Sequence, residues 1–294
     1  MDYHQPVLLD EVISTLEIKT DGVYIDATLG NGGHTLAILN KGGIVYGIDQ
    51  DEKNLEISTN RIKEAGLIKN FHPILSNFNQ LKTIVNSKID QKIDGLLVDL
   101  GLSKNQQLST NRGFSFNDDE SLDMRINQNS DDPTAKDIIN VGSAEELYQI
   151  FSKNSQEIHS QSLISKIISE RQKKPITTAK RLADIIRNFY LENKIRTKID
   201  PSTKIFLALK IAVNQEFHNL RQILSQSLNV IKPNGTACFI SFHSGEDRII
   251  KQFIQQNILQ KTIYQNQKPI HPSYKEIKNN PLSRSAILRS YKIV

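Results

Sequence analysis

A glycine-rich segment directly after an apolar stretch constrains the fold of this chain more than any other feature. Residues 23–27 are apolar except for Asp26, and Gly30-Asn-Gly32-Gly33-His34-Thr35 follows, before a helical pattern begins. Strand, glycine turn and helix start form the frame of a nucleotide-cofactor loop, because glycine lets the backbone approach a ligand where a Cβ would clash. Asp49 ends the next apolar run and can accept hydrogen bonds from both ribose hydroxyls. The segment therefore predicts an adenosine-containing cofactor.

The acid that precedes the glycines helps to choose between cofactors. The loop falls one residue short of the dinucleotide pattern G-x-G-x-x-G/A, because Thr35 occupies its last position. A carboxylate at Asp26 would repel a pyrophosphate, but it suits the ammonium and sulfonium groups of S-adenosylmethionine. The alternatives are a nicotinamide dehydrogenase and a tight turn in which Asp26 is only solvated.

A second acid-bearing strand end strengthens the prediction of a ligand site. Residues 93–98 have the composition of a buried strand, and Asp99 follows them directly. Ligands of open α/β sheets bind at the carboxyl ends of the strands. We therefore expect Asp26, Asp49 and Asp99 to converge at one edge of the sheet.

The chain alternates apolar strand candidates with helical stretches in its first third. Five strands are predicted, at residues 23–27, 44–48, 71–75, 93–98 and 236–241. This alternation predicts an α/β fold with a doubly wound, mostly parallel sheet. The interval between the fourth and fifth strands is too long for one crossover, so residues 105–200 are predicted to form a helical insertion domain between residues 1–104 and 201–294.

Three local patterns refine this organisation. Thr177 is expected to cap a helix that carries Leu182, Ile185, Ile186 and Phe189 on one face. Residues 205–231 have the pattern of one long helix that returns to the sheet and ends at Pro233. Residues 286–291 alternate enough to form an edge strand.

The net charge of +5 is concentrated at the carboxyl-terminal end. Residues 232–294 contain ten lysines and arginines against three acids, a net +7, together with Tyr264, Tyr274 and Tyr291. A basic, tyrosine-containing segment suits a polyanionic partner, and a solvated lysine-rich surface is an equal alternative. Cys238 lies in an apolar run and is expected in the core. The amino-terminal residues do not resemble a signal peptide and no apolar stretch approaches a membrane span, so we expect a cytoplasmic protein.

Several further motifs resemble one family nearly end to end, the bacterial 16S ribosomal RNA (cytosine-N4)-methyltransferases. They occupy residues 4–11, 99–106, 111–116, 121–125, 198–216, 241–248 and 279–289. The resemblance implies a class I S-adenosylmethionine-dependent fold and methylation of the exocyclic N4 amine of one cytidine. By the family's RNA numbering this is cytidine 1402, in the decoding centre. The implied partner is 16S ribosomal RNA or the small ribosomal subunit, with no membrane and no metal.

The resemblance also implies the residues of the site. The implied cofactor-binding residues are Gly32, Gly33, His34, Asp49, Phe78, Asp99 and Gln106. Asp99 is the implied catalytic residue, as acceptor of an amine proton, with the Leu100 carbonyl as a second acceptor; the alternative is that Asp99 only binds the cofactor. Phe78 either packs on the adenine or belongs to the core, and His34 contributes its backbone N–H. Neither His34 nor His243 has metal-ligand spacing.

Contacts to RNA are less determined by the pattern. Phe114 and Phe116 either stack on bases or pack under the insertion. Candidate phosphate contacts, each of which could instead be an ion-pair partner, are Arg112, Arg125, Arg248, Lys251, Arg284 and Arg289. The chain departs from the family pattern at Lys104-Asn105, at residues 154–157 and 200–204, and at Gly245, where the family has leucine. These departures motivate a second hypothesis, an RNA-binding or ribosome-assembly factor that has lost catalysis.

Overall fold

Seven strands form one sheet in the computed structural model, which describes residues 5–103, 106, 112–116, 119, 121–155, 157, 159–265 and 267–294. The strands are β1 (Val23–Asp26), β2 (Ile44–Asp49), β3 (Phe71–Leu75), β4 (Ile93–Asp99), β5 (Ile231–Ser241), β6 (Ile263–Tyr264) and β7 (Ile287–Ile293). They lie in the order β3-β2-β1-β4-β5-β7-β6. The first five are parallel, and β7 is antiparallel to both of its neighbours. The predicted doubly wound, mostly parallel sheet is confirmed.

In the sheet unit one helix precedes β1 and the other helices lie between successive strands. They are α1 (Leu9–Leu16), α2 (Gly33–Asn40), α3 (Glu52–Glu64), α4 (Leu81–Ile84), α10 (Glu216–Val230), α11 (Ser244–Leu259) and α12 (Tyr274–Asn279). Successive strand residues point to opposite faces, so Leu96 and Val98 pack in one core while Leu97 packs in another. Both faces of the sheet are thus buried, which explains its continuous apolar runs.

The second unit is helical and has its own core. Its helices are α5 (Ala135–Val141), α6 (Ala144–Ser155), α7 (Ser160–Lys173), α8 (Ala179–Glu192) and α9 (Ser202–Val213). A cluster of buried residues that includes Phe151, Leu182 and Leu209 holds them together. The chain divides into Met1–Ser103 with Phe217–Val294, and Lys104–Glu216. The second unit therefore extends beyond residue 200, where the sequence prediction ended it.

This difference arises because the predicted helix 205–231 is two helices. α9 ends before Asn214, and Gln215 has a left-handed backbone with φ of 49°. The Asn214 side chain donates to the Lys210 carbonyl and accepts from the Ile126 N–H. These bonds compete with continued helical bonding, a known role of asparagine. The hydrophobic period runs through the break and hides it.

Three other local predictions need correction. The helix cap is Thr178, not Thr177: its hydroxyl accepts from the Arg181 N–H. Pro233 lies inside β5, which begins at Ile231. β7 is not an edge strand, because the two-residue strand β6 pairs with its outer side. A strand of two residues is too short to show alternation. No helix in the described ranges is both long and apolar enough to cross a membrane.

Candidate active site at the carboxyl edge of the sheet

Three aspartates end three neighbouring strands, as the sequence predicted. Asp26, Asp49 and Asp99 are the last residues of β1, β2 and β4, and β1 lies between the other two in parallel register. Burial raises the pKa of each of the three carboxyls to about 6. Raised pKa values at neighbouring strand ends are typical of a functional site.

The turn between β1 and α2 is shaped by its glycines. Gly30 and Gly32 have φ of 50° and 71°, in the left-handed region that glycine adopts without a Cβ penalty. A Cβ on Gly33 would lie 2.3 Å from Cγ of Pro6, so Gly33 is needed for close packing against the amino-terminal segment. The glycines therefore permit both the left-handed backbone of the turn and the close approach of Pro6.

Asp49 is held by a small network. Its Oδ2 accepts from the Gly30 N–H at 2.9 Å and from Nδ2 of Asn54 at 3.1 Å. Its Oδ1 accepts from the Asp51 N–H at 2.8 Å. Asn54 in turn accepts from the Ser103 hydroxyl at 3.1 Å. The sequence analysis missed Asn54; its one available signal was an asparagine inside a helix pattern, close after the acid.

Asp26 serves the turn itself. Its Oδ2 accepts from the Thr35 hydroxyl at 2.7 Å, and its Oδ1 accepts from the Thr28 N–H. Only 1% of the residue is exposed. The sequence interpretation, in which this carboxylate faces the cationic part of the cofactor, needs correction: the carboxylate is enclosed in the turn and fixes its conformation.

Asp99 differs from Asp26 and Asp49 because one of its carboxylate oxygens accepts no hydrogen bond from a described residue. Its backbone N–H donates to the Thr28 hydroxyl at 2.6 Å, which fixes the end of β4 against the turn. Its Oδ1 is buried and has no hydrogen-bond partner among the described residues. Burial is the largest cause of the raised pKa of Asp99. The imidazole of His34 lowers this pKa, and the carboxylates of Asp26 and Glu246 raise it further. An unpartnered buried acceptor is costly and indicates a missing donor.

His34 faces Asp99 with its imidazole. Nε2 lies 2.9 Å from the Val7 carbonyl, which can only accept, so Nε2 carries the proton. Nδ1 lies 3.8 Å from Oδ2 of Asp99, too far for a hydrogen bond. Burial lowers the pKa of the His34 imidazole from its usual value, while the Asp99 carboxylate opposes that shift. The side chain thus contacts the amino-terminal segment, while the backbone of His34 lies in the first turn of α2.

The other implied cofactor residues occupy two places. Phe78 opens a short 3-10 helix just after β3 and is half-buried against the sheet core. Asn77 caps that helix with its side chain. Gln106 is buried and belongs to the helical unit. The glycine turn, Asp49 and the unpartnered Oδ1 of Asp99 fit an adenosine-containing cofactor that also brings a donor or a cation.

The candidate RNA residues divide into engaged and free side chains. Phe114 and Phe116 are half-buried against the core of the helical unit, and Phe116 packs edge-to-face on Phe206 at 4.8 Å. Arg125 pairs with Asp123 at 2.8 Å. Arg112 is buried and donates to the Ile126 carbonyl. Arg248, Lys251 and Arg284 are exposed. The predicted motif positions His4, Lys104, Asn105 and Asn111 lie outside the described residues.

The segment 241–248 joins β5 to α11. His243 caps α11 by accepting from the backbone N–H groups of Gly245 and Glu246, and Glu246 accepts in return from the His243 N–H. A Cβ on Gly245 would lie 2.6 Å from the Phe217 ring. The Phe217 ring thus occupies the space beside the glycine that replaces the family's leucine.

Comparisons with known proteins identify the family and the fold of this chain. The sequence profile of the MraW methylase family matches residues 1–294. Proteins named ribosomal RNA small subunit methyltransferase H are 37% identical in Caldicellulosiruptor saccharolyticus, over 97% of each chain, and 38% identical in Ehrlichia chaffeensis, over 98% of each chain. A structure from Clostridium thermocellum has a TM-score of 0.50 at 13% identity, over 99% of this chain and 100% of that one.

A second structure has the same fold, from Streptococcus mutans, solved with S-adenosylhomocysteine. Its TM-score is 0.50 at 11% identity, over 99% of this chain and 100% of that one. The predictions of a class I methyltransferase fold and of S-adenosylmethionine as the cofactor are confirmed. Sequence profile, relatives and sheet topology together show that this chain belongs to the MraW methylase family of ribosomal RNA methyltransferases.

Proposed function

We propose that this protein methylates the exocyclic N4 amine of a single cytidine in 16S ribosomal RNA, cytidine 1402 of the decoding centre, in the cytoplasm. The observation that carries the proposal is the buried Oδ1 of Asp99 at the end of β4, which has no hydrogen-bond partner within the part of the chain that the structure describes. An amine N–H is the kind of donor that this oxygen lacks. The small subunit is the proposed partner, because curated relatives bear the name ribosomal RNA small subunit methyltransferase H.

The chemistry explains why a carboxylate acceptor is useful here. The cytosine amine is a poor nucleophile because its lone pair is delocalised into the ring. A hydrogen bond from the amine to Oδ1 of Asp99 favours rotation of the lone pair out of the ring plane. The Leu100 carbonyl is the proposed second acceptor. Transfer would break the bond between the methyl group and sulfur and release S-adenosylhomocysteine. The nitrogen is then cationic and gives up one proton, to the Asp99 carboxylate or to solvent, so a strong base is unnecessary.

The cofactor supplies a methyl group that is already activated on a sulfonium. Gly32, Gly33, His34, Asp49, Phe78, Asp99 and Gln106 are the proposed residues that hold it. Asp49, fixed by Gly30 and Asn54, is placed to accept from ribose hydroxyls. The main contribution of these residues is alignment of the reacting groups.

Cationic residues on the sheet unit are proposed to hold the RNA backbone. Arg248 and Lys251 lie on α11 and are exposed. A groove of about 450 Å³, lined by Lys251 and Lys268 among others, runs between α11 and the loop after β6. Arg289 also lines it, but its guanidinium is hydrogen-bonded to Asp247, so Arg289 is an ion-pair partner and not the phosphate contact that the sequence suggested. The helical unit is the proposed substrate-recognition domain.

Methyl transfer is the decisive test. Purified protein would be incubated with labelled S-adenosylmethionine and small subunits that lack the modification, and nucleosides would be analysed by mass spectrometry. We expect N4-methylcytidine, and a rate reduced roughly 100-fold or more in Asp99→Asn, since positioned proton acceptors contribute about that much. Asp94→Asn, in the same strand and paired with Lys232, is the matched control and should transfer normally.

The competing hypothesis gives a different result. An RNA-binding or assembly factor without catalysis would bind cofactor and small subunits yet transfer no methyl group. The departures at residues 154–157, residues 200–204 and Gly245 motivate it, but all lie outside the implied cofactor residues. If Asp99→Asn transferred methyl at the wild-type rate, Asp99 would be only a cofactor ligand.

A further inference from the structure

A short basic surface near the carboxyl terminus carries an unusually exposed tyrosine. It consists of α12 and the 3-10 turn Pro281–Ser285, and we call it the α12 surface. Tyr274 is 84% exposed. Lys275, Lys278 and Arg284 are exposed, and no ion pair joins them to another residue in the described part of the chain. The surface thus offers one aromatic face and three free cations.

The α12 surface is fastened to the amino-terminal segment. Oε1 of Glu276, the acid within α12, accepts from the Leu8 N–H at 2.8 Å. Nδ2 of Asn280, which is buried, donates to the Gln5 carbonyl at 3.1 Å. Leu8 is fully buried in a left-handed backbone with φ of 53°. A leucine in that region is strained and persists only where its surroundings hold it, as the bond to Glu276 does.

The same amino-terminal segment contacts the glycine turn between β1 and α2, which we call the cofactor turn. The Val7 carbonyl accepts from Nε2 of His34, and Pro6 packs against Gly33 so closely that a Cβ there would lie 2.3 Å away. One short run of chain therefore has the cofactor turn on one side and the α12 surface on the other. The amino-terminal segment thus connects the α12 surface to the carboxyl edge of the sheet, where Asp26, Asp49 and Asp99 lie.

We infer that the α12 surface binds single-stranded RNA, with Tyr274 stacked on a base and Lys275, Lys278 and Arg284 on phosphates. Lys275 and Lys278 are three residues apart on a helix and share one face. Exposed aromatics that stack on bases, with cations along the backbone, are how proteins hold unpaired strands. The inference rests on the proposed function, because it identifies where the substrate of that site is held beyond the reacting cytidine.

Stacking and charge are separable by experiment on the full chain. Anisotropy with a labelled single-stranded oligonucleotide from the small-subunit RNA would be compared with the same sequence as a duplex. Tyr274→Ala should weaken single-strand binding roughly 5- to 150-fold, the effect of one lost base stack. Tyr274→Phe keeps the ring and should bind as wild type. Tyr264→Ala, a half-exposed tyrosine on β6, is the matched control, and duplex binding should not depend on Tyr274.

The cations are tested by salt dependence. The triple variant Lys275→Gln, Lys278→Gln, Arg284→Gln should lower the salt slope by roughly 0.7 for each lost phosphate contact. Lys88→Gln with Lys92→Gln, two exposed lysines that precede β4, should leave the slope unchanged. Wild-type affinity of Tyr274→Ala, or a wild-type slope in the triple variant, would overturn the inference.

Failure of the inference is distinguishable from failure of the proposed function. If the wild type methylates small subunits while Tyr274→Ala binds RNA normally, only the α12 surface is wrongly assigned. If the wild type binds RNA through Tyr274 but never transfers methyl, the surface stands and the enzyme proposal falls. If the wild type neither binds RNA nor transfers methyl, both are wrong.

Discussion

The guanidinium of Arg289 donates two hydrogen bonds to the carboxylate of Asp247. Nε lies 2.7 Å from Oδ1 and the second bond, from an Nη, is 3.1 Å to Oδ2. Arg289 is on β7 and Asp247 is in the first turn of α11, so the pair fastens the antiparallel strand to the helix after β5. Both side chains are less than one-fifth exposed. A bidentate pair of this kind has a structural role before it has any RNA-binding role.

Arg289→Met should therefore act on stability. We expect a loss of about 1.5–3 kcal/mol in the free energy of unfolding, because the variant removes charged hydrogen bonds and leaves the Asp247 carboxylate alone. Urea unfolding measures it. Arg248→Met is the control. Arg248 is exposed on α11, the helix that carries Asp247, and its replacement should change stability little. A salt slope of RNA binding that falls in Arg289→Met, with stability unchanged, would return Arg289 to the phosphate contacts.

Asp49→Ala should weaken cofactor binding without unfolding the turn. The expected loss is about 1–3 kcal/mol, since the ribose hydroxyls would lose their acceptor. Calorimetry with S-adenosylhomocysteine measures it, and Glu56→Gln, an exposed acid on α3, is the control. Asn54→Leu should have a smaller effect of the same sign, because it removes the donor that orients Asp49. Unchanged affinity in Asp49→Ala would exclude ribose recognition by this residue.

The three strand-end acids should leave a signature in the pH dependence of stability. Their pKa values rise from 3.8 to about 6 on folding. Between these values the folded protein holds protons that the unfolded chain has released. The contribution of these groups to stability is therefore full below pH 4 and falls as the pH rises to about 6. Above pH 6 their contribution is flat.

Comparison with neutral variants isolates this signature from the other acids. Asp49→Asn and Asp99→Asn should each have a shallower fall in the free energy of unfolding over that window than the wild type. Chemical unfolding without cofactor, at pH values from about 4 to about 8, measures the difference. Parallel curves for wild type and variants would show that burial does not perturb these carboxyls.

Gly245→Leu restores the family's residue but should destabilise this protein. The new side chain would meet the Phe217 ring, which lies 2.6 Å from the position of a Cβ. Overpacking of this kind costs about 1–3 kcal/mol. Phe217→Ala in the same chain should recover part of that loss, and thermal unfolding of the single and double variants measures the coupling. Additive losses would mean that the two residues do not share the space.

The elements that sequence predicted correctly are those with strong periodicity. The five parallel strands follow from their apolar runs, and the strand ends at Asp49 and Asp99 follow because the runs 44–48 and 93–98 stop at an acid. The first predicted run extended one residue past Asp26, where β1 ends. The break between α9 and α10 was missed because side-chain bonds of Asn214, one of them to distant Ile126, decide it. β6 was missed because pairing with β7, not its own two residues, makes it a strand.

The roles of site residues were likewise predictable where a local sequence pattern sets them and not where a distant partner does. The glycine turn and Asp49 carry a local pattern that identifies them. The roles of Asp26 and Arg289 depend on partners, Thr35 and Asp247, that only the folded chain brings within reach. For the same reason sequence could not show that His34 uses its ring to hold Val7.

The pairing of β4 with β5 has a consequence for synthesis of this protein. These strands are neighbours in the sheet, but the whole helical unit lies between them in the chain. During translation β4 is synthesised long before β5. The edge of β4 that later pairs with β5 is therefore unpaired while the helical unit is being synthesised. Prior folding of that unit around its own core shortens the loop that β5 must close. We therefore expect truncations ending within α8 or α9 to aggregate or recruit chaperones, whereas the chain of 294 residues, in which β5 pairs with both β4 and β7, folds without them.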